Sequence, residues 1–297
     1  MKAISIFFLM ITLALTEPTY GDLAFSGFSQ DKWVVYYQSE LESTPKLFKM
    51  PSTTDGSTAT RFPNGRDIAF EVPGRGIYLC NTQSGEECDQ LKIPKGYGSR
   101  PTWWADTGNL VFARYITESE GEDSEIFVAD IKTEKITPLV TQTGLLDYPD
   151  ITSDGRDLAY TVSGTINRYQ GGVQVVQSLW VMNLETGKAR QVLLSQDQDI
   201  HPDWSPSGDE LAFASNRSGQ FEIWRVGGDG ENLQQVTSGP GSKTWPAWSP
   251  DGESIMFTLQ KDGRYSLWLV NADGTNLRPF QPFGADSDIQ LRDADWK

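Results

Sequence analysis

Histidine is nearly absent from this chain: His201 is the only one in 297 residues. A zinc or manganese centre built on several imidazoles is therefore excluded. Cysteine is almost as scarce, with Cys80 and Cys88 alone. Neither lies near the first apolar run, so a bacterial lipoprotein anchor is not expected. A Gly-x-Ser-x-Gly elbow is missing too, which removes the serine peptidases built on that strained turn. Basic charge is short, with 25 Lys and Arg against 40 Asp and Glu and a net charge of −15. Such a surface repels phosphate backbones and anionic membranes, so no nucleic-acid partner is expected.

Only one long apolar run exists, Ala3 to Leu15 behind Lys2. It is too short to span a bilayer and fits the core of a secretory signal peptide. Residues 1–21 are read as that signal and 22–297 as the mature domain, with cleavage after Thr16 or Gly21. The expected location is periplasmic or secreted. No later stretch is long enough for a membrane span. In an exported chain, two cysteines flanking "NTQSGEE" predict a Cys80–Cys88 disulfide across a hairpin tipped by Ser84 and Gly85.

The abundant features are aromatics, at 11% of residues, and Gly and Pro, 28 and 16 of them spread along the chain. Together they favour many short strands and turns around a large core. The chain also repeats itself. Gly208 of "SPSG", Gly252 of "SPDG" and Gly155 of "TSDG" fall in line with Thr107 of "WADTG", Gly65 of "FPNG" and, most weakly, Lys32 of "SQDK". After each anchor come two apolar stretches, such as "LAF" then "EIWRV", or in the first copy "VVYY" then "KLF". Six copies predict an all-β fold, a six-bladed β-propeller of four-stranded antiparallel blades. "RDADW" at Arg292–Trp296 matches "HPDW" with no copy after it. It is expected to close the ring as the innermost strand of blade one, a place for which Leu23–Phe28 competes.

The motif Pro-x-Trp-Ser-Pro-x-Gly, followed by a strand, "SNRSGQFEIW" and "DG", resembles the propeller repeats of the TolB family. The resemblance is close over 202–239 and 246–280, fair over 101–131 and 149–187, and weak in the first two copies. It implies an exported propeller that binds other proteins, as family members in the Tol–Pal envelope system do. A counterpart of the α/β domain that precedes the propeller in TolB is not expected here, since barely ten residues separate the expected signal from the first repeat.

In a propeller of this kind the first strands begin on the rim that also carries the second-to-third connections. Two long connections are expected there, Arg114–Glu125 and Val162–Gln177. Glu118, Glu120 and Glu122 on one, and Arg168 and Tyr169 on the other, are candidate rim contacts. At the channel mouth the repeat aligns Arg100, Tyr148, His201, Trp245 and Asp293 in a ring. These residues serve either as a recognition surface, rich in Arg, Tyr and Trp anchors, or as a plug. The acidic run has no calcium-loop spacing, and "GGDGEN" and "NADGTN" read as hairpin turns. No cofactor, metal or catalytic constellation is expected. The leading reading is a monomeric, non-enzymatic module that binds an envelope or secreted protein or peptide. The alternative is a carbohydrate-binding or carbohydrate-active propeller of lyase or glycosidase type.

Overall fold

The computed structural model describes residues 23–296 apart from 30, 39–40, 42, 48–55, 62–66, 82–87, 105–106, 117–123 and 168–172. The expected signal peptide lies outside these residues. The described chain is built of strands and short turns, with no helix.

The first copy holds β1 (Leu23–Ser29), β2 (Lys32–Gln38) and β3 (Lys46–Leu47), and the second β4 (Ser57–Arg61), β5 (Asp67–Val72), β6 (Gly76–Asn81) and β7 (Cys88–Gln90). The third holds β8 (Tyr97–Trp104), β9 (Asn109–Tyr115), β10 (Ser124–Asp130) and β11 (Lys135–Val140). The fourth holds β12 (Leu145–Ile151), β13 (Asp157–Asn167), β14 (Val173–Asn183) and β15 (Lys188–Gln191). The fifth runs β16 (Asp199–Trp204), β17 (Glu210–Ser215), β18 (Glu222–Gly227) and β19 (Gln234–Gln235). The sixth is β20 (Ser242–Trp248), β21 (Ser254–Lys261), β22 (Arg264–Asn271) and β23 (Arg278–Pro279), followed by β24 (Gln290–Trp296). These strands form four sheets of four and one sheet of eight. The eight-stranded sheet joins the third and fourth copies through a single parallel pair, Ser124 with Leu145. All other named strand pairs are antiparallel, giving a propeller arrangement.

The sheets must stack because each is apolar on both faces. Phe25, Phe70, Phe112, Tyr160, Phe213 and Phe257, one from each copy, are completely buried. Each such burial contributes about 1.5–3 kcal/mol. Apolar clusters fill the spaces between copies: Trp204, Leu211 and Phe213 pack on Ala159, Leu179 and Val181. The last copy meets the first in the same way, Met256, Leu267 and Leu269 against Leu23, Phe25 and Trp296.

In the third to sixth copies the turn before the second strand follows from its anchor, while Gly65 of the second copy lies outside the described residues. Gly155, Gly208 and Gly252 have φ of 70, 74 and 72°, which a Cβ would disfavour. Their N–H groups donate three residues back, to Thr152, Ser205 and Ser249. In the third copy Thr107 makes that bond to Trp104, but the left-handed residue is Gly108, one place later.

The first copy is shifted by one strand from its expected alignment. "VVYY" lies in the third strand of its sheet, not the second, and "KL" in the fourth, because the order is β24-β1-β2-β3. The "SQDK" turn therefore joins second and third strands. The C-terminal strand takes the edge place for which β1 competed, and β1 is second. Val162–Gln177 also differs from the expected long connection. Strand pairing continues out to Asn167 opposite Val173, because Thr, Ile and Val favour extended backbone. Cys80 faces Cys88 across β6 and β7, and the two form a disulfide.

Candidate functional site

Residues from six strands, β4, β8, β12, β16, β20 and β24, converge on one small cavity of about 80 Å³. Each of these strands breaks register at the same point, for instance between Ile200 and Asp203 of β16 and between Thr244 and Ala247 of β20. Thr58, Arg100, Tyr148, His201, Trp245 and Asp293 sit at the breaks with φ of 49 to 55°. Left-handed backbone at a non-glycine residue is uncommon, and each instance costs about 1–3 kcal/mol. Proline follows in four copies, at Pro101, Pro149, Pro202 and Pro246. It brings no N–H to the ladder and so suits a bulge. In β16 the bulge puts His201 and Pro202 opposite the single buried residue Phe213. The bulge re-aims a side chain, and the residue before Pro202, His201, lines the shared cavity.

Two residues past the left-handed position a polar side chain ties neighbouring strands together, except in β20, where Ala247 stands there. The Asp150 carboxylate accepts from the Trp204 main-chain N–H at 2.7 Å, and Asp203 from that of Trp248 at 2.7 Å. Thr102 donates to Asp150, and Thr60 to Asp295. "HPDW" thus reads as one presented side chain, one bulge proline, one inter-strand tie and one indole filling the gap between copies.

Four of the five predicted mouth residues make one cluster. Arg100 lies 5.0 Å from the Tyr148 ring and 4.8 Å from that of Trp245. Trp245 stacks on His201 at 3.7 Å, and Tyr148 meets the His201 ring edge-on at 4.3 Å. Arg100 Nη1 donates to Thr58 Oγ1 at 2.9 Å. Thr58 completes the ring, and the sequence signal for it was weak because its copy has Ala59 in place of proline. Asp293 pairs with Arg292 at 3.1 Å. His201 and Asp293 are buried, whereas Arg100, Tyr148 and Trp245 keep exposed surface.

Burial governs the electrostatics. It drives the His201 pKa well below the usual imidazole value, helped by the Arg100 charge. It raises the Asp147 carboxyl despite Arg100 nearby, and Asp293 despite Arg292. Tyr148 is pushed up to about 12 by burial and by Asp147. Burial opposes the charge on Arg100 as well, but Glu71, Asp147, Tyr148 and Asp293 outweigh it and hold the guanidinium charged. Glu71 is itself fixed by Ser99 Oγ at 2.6 Å.

Glu118, Glu120, Glu122, Arg168 and Tyr169 lie outside the described residues. In the "GGDGEN" and "NADGTN" turns, Asp229 and Asp273 accept from main-chain N–H groups at 2.9 Å each. No group of three metal-ligating side chains occurs among the described residues.

Comparison with known proteins gives the architecture a name. The TolB β-propeller domain family model matches residues 168–287. The TolB structure from Acinetobacter baumannii superposes with a TM-score of 0.73 at 17% identity, over 93% of this chain and 66% of that one. This is a TolB-like propeller. A putative TolB from Agrobacterium tumefaciens aligns with a TM-score of 0.66 at 17% identity, over 93% and 98% of the two chains. An oligogalacturonate lyase from Vibrio parahaemolyticus also shares the fold, with a TM-score of 0.61 at 13% identity over 87% and 73%. In sequence, an uncharacterized Agrobacterium fabrum protein is 32% identical over 69 residues, 23% of this chain and 24% of that protein. The chain thus matches about a quarter of that relative's length. Among the described residues no helix is long and apolar enough to cross a membrane.

Proposed function

We propose that this TolB-like propeller is an exported, non-enzymatic interaction module that takes a protein or peptide partner on its channel-mouth face. The eight-stranded sheet counts as two blades in this reading, and the ring as six, with β24 innermost in the first. The observation that carries the function is the contrast between scaffold and presented side chain. The bulge recurs in all six inner strands, yet its residue is Thr, Arg, Tyr, His, Trp and Asp in turn. A plug would be served by repetition, whereas a recognition surface needs non-repeating chemistry on a repeated frame. Arg100, Tyr148 and Trp245 are the contact residues, of the types that anchor interfaces. His201 and Asp293 support them from below. Residues 1–21 serve as the export signal, and the location is the periplasm or beyond.

The carbohydrate reading draws no support from the mouth. The cavity of about 80 Å³ is far smaller than a typical small-molecule pocket of roughly 300–1,000 Å³. Asp150 and Asp203 are committed to main-chain N–H groups. Likeness of fold to a lyase carries no chemistry by itself.

The test is affinity capture from envelope extract with the wild type and an Arg100→Ala, Tyr148→Ala, Trp245→Ala variant shown by circular dichroism to be folded. A specific protein held by the wild type and lost by the variant is expected. Equal retention would reduce the ring to a plug.

A further inference from the structure

On the rim opposite the channel mouth, a groove of about 810 Å³ lies between the fourth and fifth copies. That is within the roughly 300–1,000 Å³ of small-molecule sites. Lys188 and Arg190 of β15 line it from the fourth copy, and Asp209, Glu210 and Asp229 from the turns of the fifth. Two contacts hold the walls in place. Arg190 donates to Gly228 C=O across the groove. At Gly230 an added Cβ would lie 2.5 Å from Val192 C=O, so this turn sits flush against the fourth copy.

The groove owes its depth to glycine. Gly227 and Gly228 stand where the sixth copy has Asn271 and Ala272, and both line the groove. A Cβ on Gly228 would come within 2.9 Å of the Trp204 indole beneath it. In the sixth copy, Ala272 packs against the apolar cluster that holds the matching indole, Trp248. The fifth copy therefore lacks the two side chains that stand over its indole elsewhere in the repeat.

Most of the charged groups that line the groove are already committed. Glu210 pairs with Arg225 at 3.2 Å, Asp157 accepts from Asn183 at 3.0 Å, and Asp229 accepts from the Glu231 main-chain N–H at 2.9 Å. Lys188 and Asp209 are the exceptions. Both are exposed, and among the described residues neither side chain has a hydrogen bond or an ion pair. The groove holds them apart on opposite walls, so they do not satisfy each other.

We propose that this groove binds a short zwitterionic peptide, with its ammonium group at Asp209 and its carboxylate at Lys188. A ligand with a single charge answers only one wall, and a neutral sugar answers neither. Both anchoring side chains are exposed, so the affinity is weak and falls as salt is added. The inference rests on the groove and is independent of the channel mouth.

Isothermal titration calorimetry of the mature chain with trialanine at low ionic strength tests it. One-to-one binding with a Kd of about 1 mM or tighter is expected. N-acetyl-trialanine and trialanine amide, each lacking one charge, should bind at least about fivefold more weakly. Asp209→Asn and Lys188→Met, both at exposed positions, should each weaken trialanine binding by a similar factor. Gly227→Asn, which restores the side chain of the sixth copy, should abolish it in a protein shown by circular dichroism to be folded. No binding at about 10 mM peptide, capped peptides that bind as well as trialanine, or binding that Asp209→Asn and Lys188→Met leave unchanged overturns the proposal.

Discussion

The imidazole of His201 lies flat on the indole of Trp245, with centroids 3.7 Å apart and planes 14° from parallel. Its Nδ1 accepts from the Trp245 main-chain N–H at 3.4 Å. That contact needs an unprotonated Nδ1, so the neutral ring belongs to the folded state. The single histidine is buried and packs against the half-buried Trp245.

Protonation of His201 should therefore destabilise the fold. Burial and Arg100 lower its folded pKa, while the unfolded chain takes up a proton near pH 6.5. Below that pH the unfolded state binds more protons, so stability falls as pH falls. Asp147 and Asp293 have raised values and act in the opposite sense at lower pH, which is why a difference is needed. Urea midpoints of wild type and His201→Phe should converge on going down from pH 7 to pH 5, or cross. The wild type should lose up to about 1.4 kcal/mol per pH unit relative to the variant.

The ion pair of Lys243 and Glu222 ties the fifth copy to the sixth. Both side chains are almost fully buried, and Nζ reaches Oε1 at 3.1 Å. Lys243 also donates to Gly239 and Gly241 C=O, and Thr237 donates to Glu222. Lys243→Met leaves a buried carboxylate unpaired and should cost about 3–5 kcal/mol by urea unfolding. Adding Glu222→Gln should recover a substantial part of that loss.

Much of this architecture was legible from the repeat, and the exceptions have physical causes. The ring residues were found because Pro-x-Trp marks each bulge in the last copies. Their left-handed backbone was hidden because the sequence shows no glycine there, and proline inside an inner strand was the available sign. Thr58 escaped notice because Ala59 replaces that proline and Arg61 stands where Trp296 still marks the strand of Asp293. The first copy slipped by one strand because its inner strand lies at the other end of the chain. "LAF" at Leu23–Phe25 repeats "LAF" at Leu211–Phe213, and both phenylalanines are fully buried. That identity held the correct register. The β13–β14 extension looked like a loop because its length departs from the repeat, although its Thr, Ile and Val content argues for strand.

Closure by β24 should be essential. The strand pairs with β1 from Gln290 to Trp296, and Leu291 and Trp296 are buried. Removing residues 290–297 would uncover the edge of β1 and the apolar surface between last and first copies. Calorimetry should show loss of the cooperative transition or a large fall in Tm, whereas removing Lys297 alone should change little.

The most direct test of the central claim is photo-crosslinking in the producing cell from two positions of the propeller. A benzophenone side chain at Trp245 sits at the channel mouth. One at Asp229, an exposed turn residue on the opposite rim, serves as the comparison. A discrete protein adduct from position 245 and none from 229 is the predicted result. Adducts from 229 alone, or from both positions equally, would contradict recognition at the mouth.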